Sequence, residues 1–337
     1  MKNPLYKTVA GNLIVKKNTQ TSGDFGTYPE ARTIENHLKF GVINLDKPCG
    51  PTSHETVAWV RDMLGVSAGH SGTLDPKVSG VLPVALGSAK KALSLLFEAG
   101  KEYICIMRLH GDFESEKVIK TISKFQGEIY QRPPVKSAVK RELRIRKIYY
   151  IHIEEISGRK VLMRIGCEAG TYIRKLCHDI GFLLGCGAHM EELRRTKAGP
   201  FEEENTVTLQ DVKDAHAFWK ENGIDRYIRN VVRPVETVLE HIPKIIVRDT
   251  AVDALCHGAD LAIPGVSKVH PGIKKGSAVV IFTLKNELVA IAEAKATSEQ
   301  MLSLDSGIVA KTKRVIMDLG TYPSTWKRHN LTPAGVA

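Results

Sequence analysis

The chain has 337 residues, of which 43% are hydrophobic and 25% charged, as is ordinary for a globular protein with room for two domains. No apolar run approaches the roughly 18 residues of a membrane span, which argues against a membrane-spanning helix. The net charge of +11 predicts a polyanionic partner, although an organism that favours lysine would also give a basic protein.

The first 38 residues are predicted to form an extension with little structure of its own. They are largely polar, and residues 18–23 are a run of small polar side chains without apolar periodicity. Such an extension is free to dock on another part of the chain. A first domain is predicted to follow at residues 39–242.

A strand over residues 41–45 and a helix open this first domain. Thr52 to Glu55 form a capping box, which marks the start of the helix. Apolar residues follow at helical spacing, and Gly65 is placed to end the helix.

Strands are also predicted at residues 102–109, 145–156 and 161–167, the last of which alternates apolar and polar side chains. A helix begins after Gly170, with an apolar face formed by Ile173, Leu176, Cys177, Ile180, Leu183 and Leu184. Strands mixed with helices, without a regular βαβ rhythm, predict an α+β fold with a mixed, largely antiparallel sheet.

A small β-rich domain is predicted at residues 243–328, with a short tail at residues 329–337. Gly and Pro turns separate its short β-like runs, which lie at residues 244–248, 277–283, 287–294 and 308–317.

The six cysteines form neither a Cys-x-x-Cys pair nor a Cys/His cluster with zinc spacing, so no metal site is indicated. We expect them to be small buried residues in a reducing compartment. The N-terminus lacks the apolar core of a signal peptide. The chain is therefore expected to be cytoplasmic.

Residues 70–80, His-Ser-Gly-Thr-Leu-Asp-Pro-Lys-Val-Ser-Gly, are the most informative stretch. Asp75 is the only carboxylate across residues 67–89, so acid, base or nucleophilic chemistry here has to use it. Pro76 biases Asp75 toward an extended backbone, and the flanking glycines permit tight turns. Asp-Pro is also an ordinary turn initiator, and spacing alone favours a turn over catalysis.

A basic segment at residues 131–150 holds seven basic residues and one acidic residue. A solvated charge run is the ordinary interpretation. Because two prolines separate the segment from what precedes it and a strand follows, we favour a mobile loop that contacts phosphates. The candidate contacts are Arg132, Lys136, Lys140 and Arg141.

Residues 69–76, Gly-His-Ser-Gly-Thr-Leu-Asp-Pro, resemble the catalytic motif of the TruB-type RNA pseudouridine synthases. The continuation of this motif and residues 40–55 resemble the archaeal and eukaryotic branch, the dyskerin-like enzymes of H/ACA ribonucleoproteins. Residues 256–265 resemble a PUA domain, an RNA-binding module. Cys49 and Ser71 depart from the pattern, where proline and glycine are expected, and neither removes a group that the reaction needs.

The resemblance implies that residues 39–242 are a pseudouridine synthase catalytic domain with Asp75 as its catalytic aspartate. Arg174, in Gly-Thr-Tyr-Ile-Arg-Lys-Leu, stands where the family places an arginine paired with that aspartate. Arginine offers a planar bidentate partner that stays charged. Without the resemblance, Arg174 is equally well a surface residue of an amphipathic helix.

Four further residues receive roles from the resemblance. Tyr103 is implied to stack on the target base, and Leu176 to line an apolar pocket, although helical spacing would place Leu176 in the core anyway. His70 is implied to contact RNA around the flipped base. Lys47 is the least supported residue, as an RNA contact or a structural one.

Pseudouridine formation breaks the N1–C1′ bond of uridine, turns the uracil and rebuilds the link through C5, which requires an extruded nucleotide. Uracil stays bound throughout, so one carboxylate suffices and no cofactor is implied. Whether Asp75 attacks C1′ or removes a sugar proton stays open.

The resemblance implies H/ACA guide RNA and target rRNA or tRNA as partners. It also implies small Nop-type and Gar-type proteins and a kink-turn-binding ribosomal-type protein. The alternatives are a stand-alone synthase for the tRNA T-loop and a non-catalytic RNA-binding assembly protein.

Overall fold

The computed structural model describes residues 5, 6, 9, 11–133 and 140–324. These residues form two compact units. The first unit takes in residues 42–86 and 93–232, and the second takes in residues 11–41, 87–92 and 233–324. The domain boundaries given by the sequence analysis stay predictions.

The strands of the described residues are short in the second unit and longer in the first. In chain order they are β1 (Ile14–Val15), β2 (Gly41–Lys47), β3 (Ala68–His70), β4 (Ser79–Leu86), β5 (Lys101–Leu109), β6 (Gly127–Gln131), β7 (Arg144–Ser157), β8 (Lys160–Cys167), β9 (Ala188–Ala198), β10 (Phe201–Glu202), β11 (Arg233–Pro234), β12 (Lys244–Val247), β13 (Leu261–Ala262), β14 (Val266–Val269), β15 (Ala278–Phe282), β16 (Leu288–Ala294) and β17 (Ile308–Val315).

The α-helices of the same residues are α1 (Ile34–Lys39), α2 (Ser53–Leu64), α3 (Leu93–Phe97), α4 (Ser115–Ser123), α5 (Ile173–Leu184), α6 (Leu209–Asn222), α7 (Arg226–Val231), α8 (Asp249–Cys256) and α9 (Ser298–Ser303). Short 3-10 helices lie at Pro29–Ala31, Gly87–Ala92, Glu203–Asn205, Val235–Val238 and Ile263–Gly265. No helix in the described part of the chain is long and apolar enough to cross a membrane.

The larger sheet organises the first unit, with the strand order β2-β4-β9-β5-β8-β7-β6. β4 and β9 run parallel, whereas the other neighbours in this order are antiparallel. Helix α5 packs against β9 and α4. The helices and strands enclose an apolar core that includes Cys105, Met107, Val161, Met163, Ile165, Leu176, Cys177 and Ile180.

The second unit is built on a seven-stranded sheet with the order β1-β14-β12-β15-β16-β17-β13. The polar segment near the start of the chain docks on this sheet, because β1 pairs with β14 at Ile14 and Val269. A buried ion pair fixes the same segment further along: Arg32 Nη2 lies 2.7 Å from Glu236 Oε1, and its Nη1 donates to Glu236 Oε2 at 3.1 Å.

The structure confirms the predicted mixed, largely antiparallel α+β fold. Helix α2 begins with the predicted capping box, in which Thr52 and Glu55 each bond the other's backbone, and it ends at Gly65 with φ of +65°. Two expectations were wrong. Leu183 is 51% exposed, since α5 turns it away from the core, and Cys49 is exposed on a loop.

Candidate active site

The loop between β3 and β4 carries Asp75 and is anchored on both sides of it. Ser53 of α2 accepts a hydrogen bond from the Leu74 backbone NH at 2.8 Å and donates to the Leu74 carbonyl at 2.9 Å. Leu74 itself is buried. The Val78 NH donates to the Asp75 carbonyl at 2.9 Å, which closes a turn around Pro76. The carboxylate of Asp75 is therefore exposed on a loop whose backbone is held in place.

Lys47 anchors the same loop through its buried side chain. Its side chain has no exposed surface, and Nζ donates to the carbonyls of Pro48 at 2.8 Å, Val78 at 2.9 Å and Pro76 at 3.4 Å. Burial lowers the pKa of Lys47. A buried ammonium engaged in this way suits the structural role that the sequence analysis left open, and contact of Lys47 with RNA stays a prediction.

Arg174 meets Asp75 across 99 positions of sequence. It lies in the first turn of α5, and its Nη2 donates to Asp75 Oδ2. The start of α5 is held by Gln131 of β6, whose amide accepts from the Tyr172 NH at 2.9 Å and donates to the Tyr172 carbonyl at 3.1 Å. Loop and helix thus present an ion pair that is open to solvent, with 54% of the Asp75 side chain and 57% of the Arg174 side chain exposed.

Tyr103 lies on β5, directly opposite Arg195 of β9 in the pairing of the two strands. Burial raises the pKa of its phenol, and among the smaller contributions the Asp75 carboxylate raises that pKa further while Arg195 lowers it. Tyr103 remains partly exposed. Because Arg195 also donates a hydrogen bond to the Gly72 carbonyl, the strand of Tyr103 and the loop of Asp75 meet at that arginine. Action of Tyr103 and Asp75 on one base stays a prediction.

His70 ends β3 just before the loop. Its ring meets that of His54 edge to face, with centroids 5.0 Å apart. Burial lowers the pKa of His70 to about 4, with smaller contributions from His54 and Arg195. The imidazole is thus neutral at physiological pH, so it suits a hydrogen bond rather than an ionic phosphate contact.

Leu176 lies on α5, two residues after Arg174. Its side chain is fully buried in the apolar core of the first unit. The helical periodicity of α5 explains this placement. Leu176 has no exposed surface in this structure, and a role in lining a pocket for the base stays a prediction.

The basic candidates differ in what the structure describes of them. Arg132, Lys140 and Arg141 are exposed. Lys140 pairs with Glu142, and Arg141 Nε donates to the Pro133 carbonyl at 3.3 Å. Lys136 lies outside the described residues. Contact of these residues with RNA stays a prediction.

Two buried cations near the site were missed by sequence reasoning. Lys101 is 5% exposed and donates to the carbonyls of Phe97 at 2.8 Å and Ala99 at 2.5 Å. Burial, with Arg195 nearby, lowers the pKa of Lys101 to about 8. Arg195 is 1% exposed. When only the sequence is known, charged residues are expected at the surface. The sequence indicated a position near the site only for Lys101, which lies two residues before Tyr103.

Comparison with known proteins relates nearly the whole chain to one family. The N-terminal domain of TruB family pseudouridylate synthases matches residues 61–173, and the C-terminal domain of tRNA pseudouridylate synthase B matches residues 174–240. A DKCLD domain matches residues 4–57, and a PUA domain matches residues 243–316.

Individual relatives are similar over their full length. A probable tRNA pseudouridine synthase B of Methanopyrus kandleri is 60% identical over 93% of each chain, and one of Pyrococcus furiosus is 55% identical over 94%. Among solved structures, a chain of an H/ACA ribonucleoprotein bound to a substrate RNA containing 2′-deoxyuridine aligns with a TM-score of 0.87 and 52% identity, covering 94% of this chain and 97% of that one. A chain of a Cbf5-Nop10-Gar1 complex aligns at 0.86 and 55% identity, covering 93% and 96%.

Proposed function

The chain belongs to the TruB family of pseudouridylate synthases and is an isomerase acting on uridine in RNA, and from this premise we propose that Asp75 carries the reaction on targets chosen by an H/ACA guide RNA. The observation that carries the proposal is the Asp75–Arg174 pair, presented to solvent on an otherwise anchored loop. The family assignment made from the sequence is confirmed.

The proposed reaction needs few groups because uridine and pseudouridine contain the same atoms. The N1–C1′ bond breaks, C5 bonds to C1′, and the proton lost from C5 is balanced by one gained at N1. Asp75, ionised, acts on the sugar either at C1′ or on a sugar proton. Arg174 orients its carboxylate through a charge-assisted hydrogen bond. Tyr103 stacks on the extruded base, and neutral His70 supports the RNA beside it.

Guidance by an H/ACA RNA is proposed from the solved relatives. The structures with TM-scores of 0.87 and 0.86 are an H/ACA particle with substrate RNA and a Cbf5-Nop10-Gar1 complex. By analogy we expect this chain to bind one small Nop-type and one Gar-type protein, and a kink-turn-binding ribosomal-type protein through the RNA. The names of the curated relatives favour a second candidate, stand-alone modification of tRNA.

Tritium release from RNA labelled at uracil C5 tests the proposal. Wild type and Asp75→Asn are compared on a guide–target pair with partner proteins and on bare tRNA. Asp62→Asn serves as a control, because Asp62 is an exposed carboxylate on α2. Release by wild type and Asp62→Asn but not by Asp75→Asn is expected, and the RNA that responds separates guided from stand-alone activity. Tight binding without release on either RNA would leave a non-catalytic assembly protein.

A further inference from the structure

Arg195 is a buried cation whose hydrogen bonds go to the loop that carries Asp75. Its Nε donates to the Val81 carbonyl at 2.7 Å, and its Nη2 donates to the Gly72 carbonyl at 3.0 Å. Among the described residues no carboxylate forms an ion pair with it, whereas its neighbour Arg194 pairs with acidic side chains. Arg195 therefore joins the start of the loop, at Gly72, to β4, the strand that follows the loop.

The two glycines that flank Asp75, Gly72 and Gly80, both lie against this arginine. Gly80 has φ of +103°, and a Cβ there would come within 2.2 Å of the Arg195 carbonyl oxygen, because β4 and β9 pair at these two residues. Gly72 has φ of +77°, and a Cβ there would lie 3.3 Å from Arg195 Nη1. A side chain at Gly80 would clash with the backbone of Arg195, and at Gly72 the positive φ disfavours one.

The same arginine reaches Tyr103. In the pairing of β5 with β9, Tyr103 lies directly opposite Arg195. The positive charge of Arg195 lowers the pKa of the Tyr103 phenol, against the rise that burial causes. One guanidinium therefore contacts two segments that contribute to the site, the loop of Asp75 and the strand of Tyr103.

The choice of arginine is informative because a cation without a carboxylate partner is costly to bury. Only a guanidinium presents five donors in a fixed plane, so that separate edges can serve separate acceptors. Lysine keeps the positive charge, but its donors all lie on one ammonium nitrogen. Glutamine keeps part of the hydrogen bonding without the charge. These two substitutions separate geometry from charge.

We propose that Arg195 is a positioning residue that fixes the loop of Asp75 relative to the ring of Tyr103, so that carboxylate and base are aligned for isomerisation. The inference rests on the proposed function of Asp75. Arg195 does not touch the substrate in this assignment, and its effect passes through the two groups that do.

The test compares Arg195→Lys and Arg195→Gln with wild type in single-turnover tritium release on the assembled particle, and RNA affinity is measured separately. We expect the rate of the chemical step to fall on the order of 10²-fold, the scale of a misplacement of about 1 Å, with RNA affinity within about twofold. Combining Arg195→Lys with Tyr103→Phe should cost much less than the product of the two single losses, because both act through one contact.

Met163→Ala controls for destabilisation, since Met163 is fully buried in the apolar core of the first unit and is neither charged nor hydrogen-bonding. An equal loss of rate in Met163→Ala and Arg195→Lys at matched thermal stability would overturn the proposal, as would independent effects of the Arg195 and Tyr103 changes. An inactive wild type would instead refute the proposed function, so the two failures are distinguishable.

Discussion

At the scale of single residues, the Asp75–Arg174 pair contributes little to the fold. Both side chains are more than half exposed, and exposed ion pairs typically contribute about 0–1 kcal/mol to stability. The loop beneath them is nevertheless held by Ser53, Lys47 and Arg195, all buried. Rigid support under an exposed charged pair is the arrangement expected where orientation matters more than stability.

Removing Arg174 should therefore separate activity from stability. For Arg174→Met we expect the free energy of unfolding to change by less than about 1 kcal/mol, while single-turnover tritium release falls by roughly 10²-fold or more, since a charge-assisted contact to the reacting carboxylate is lost. Arg159→Met is the matched control, because Arg159 forms an exposed pair with Asp112 in the same unit. Comparable activity in the two variants would contradict the assigned role.

His70 should make stability depend on pH. Its folded pKa, about 4, is below the ordinary 6.5, so between these values the unfolded chain binds more protons. Its contribution to the free energy of unfolding is full above pH 6.5 and is lost as the pH falls toward 4. In His70→Gln this part of the dependence should disappear. Thermal midpoints measured from pH 7.5 to 4.5 decide the matter, and identical profiles for the two proteins would rule His70 out as the source.

At the scale of elements, α2, β5, β7, β8 and α5 follow from local patterns, and β9 does not. Capping residues or apolar periodicity in the sequence mark these five elements. β9 reads Ala-His-Met-Glu-Glu-Leu-Arg-Arg-Thr-Lys-Ala, rich in helix-favouring and charged residues, and it is a strand because β4 and β5 pair with its two edges. Motif resemblance supplied Asp75 and Arg174. The buried arginine on β9 was not predictable, because its burial depends on that tertiary pairing.

The capping box of α2 should be measurable in the stability of the first unit. Thr52 accepts from the Glu55 NH, and Glu55 accepts from the Thr52 NH. Thr52→Ala should lower the free energy of unfolding by about 1 kcal/mol, measured by denaturant unfolding. Thr52→Ser keeps the capping oxygen and should stay close to wild type. An equal loss in both variants would show that the methyl group, not the cap, is responsible.

At the scale of the whole molecule, the net charge of +11 and the basic segment point to binding dominated by phosphate contacts. Electrostatic binding of this kind releases counterions and weakens as salt rises. Three exposed cations of the basic segment are placed to contribute to phosphate binding, namely Arg132, Lys140 and Arg141. The salt dependence of RNA affinity therefore reports how many phosphates these side chains neutralise.

Neutralising Lys140 and Arg141 to Gln together should reduce the slope of log affinity against log salt by roughly 1.4, at about 0.7 per single-strand phosphate contact. Lys117→Gln with Lys120→Gln removes the same charge from the exposed face of α4 and should leave the slope nearly unchanged. Filter binding at several salt concentrations provides the measurement. If the two double variants behave alike, the segment has no special role and only the total charge matters.

The pairing of β1 with β14 has a consequence for how the protein is made. The Ser267 hydroxyl donates to the Lys17 carbonyl across 250 positions of sequence, and Arg32 pairs with Glu236 in the same unit. Translation proceeds at about 5–20 residues per second, so Lys17 and Arg32 are synthesised roughly 10–50 s before their partners Ser267 and Glu236. During that time the intervening residues 42–86 and 93–232 are able to collapse as a unit of their own. The strands that emerge last then complete the sheet to which β1 belongs.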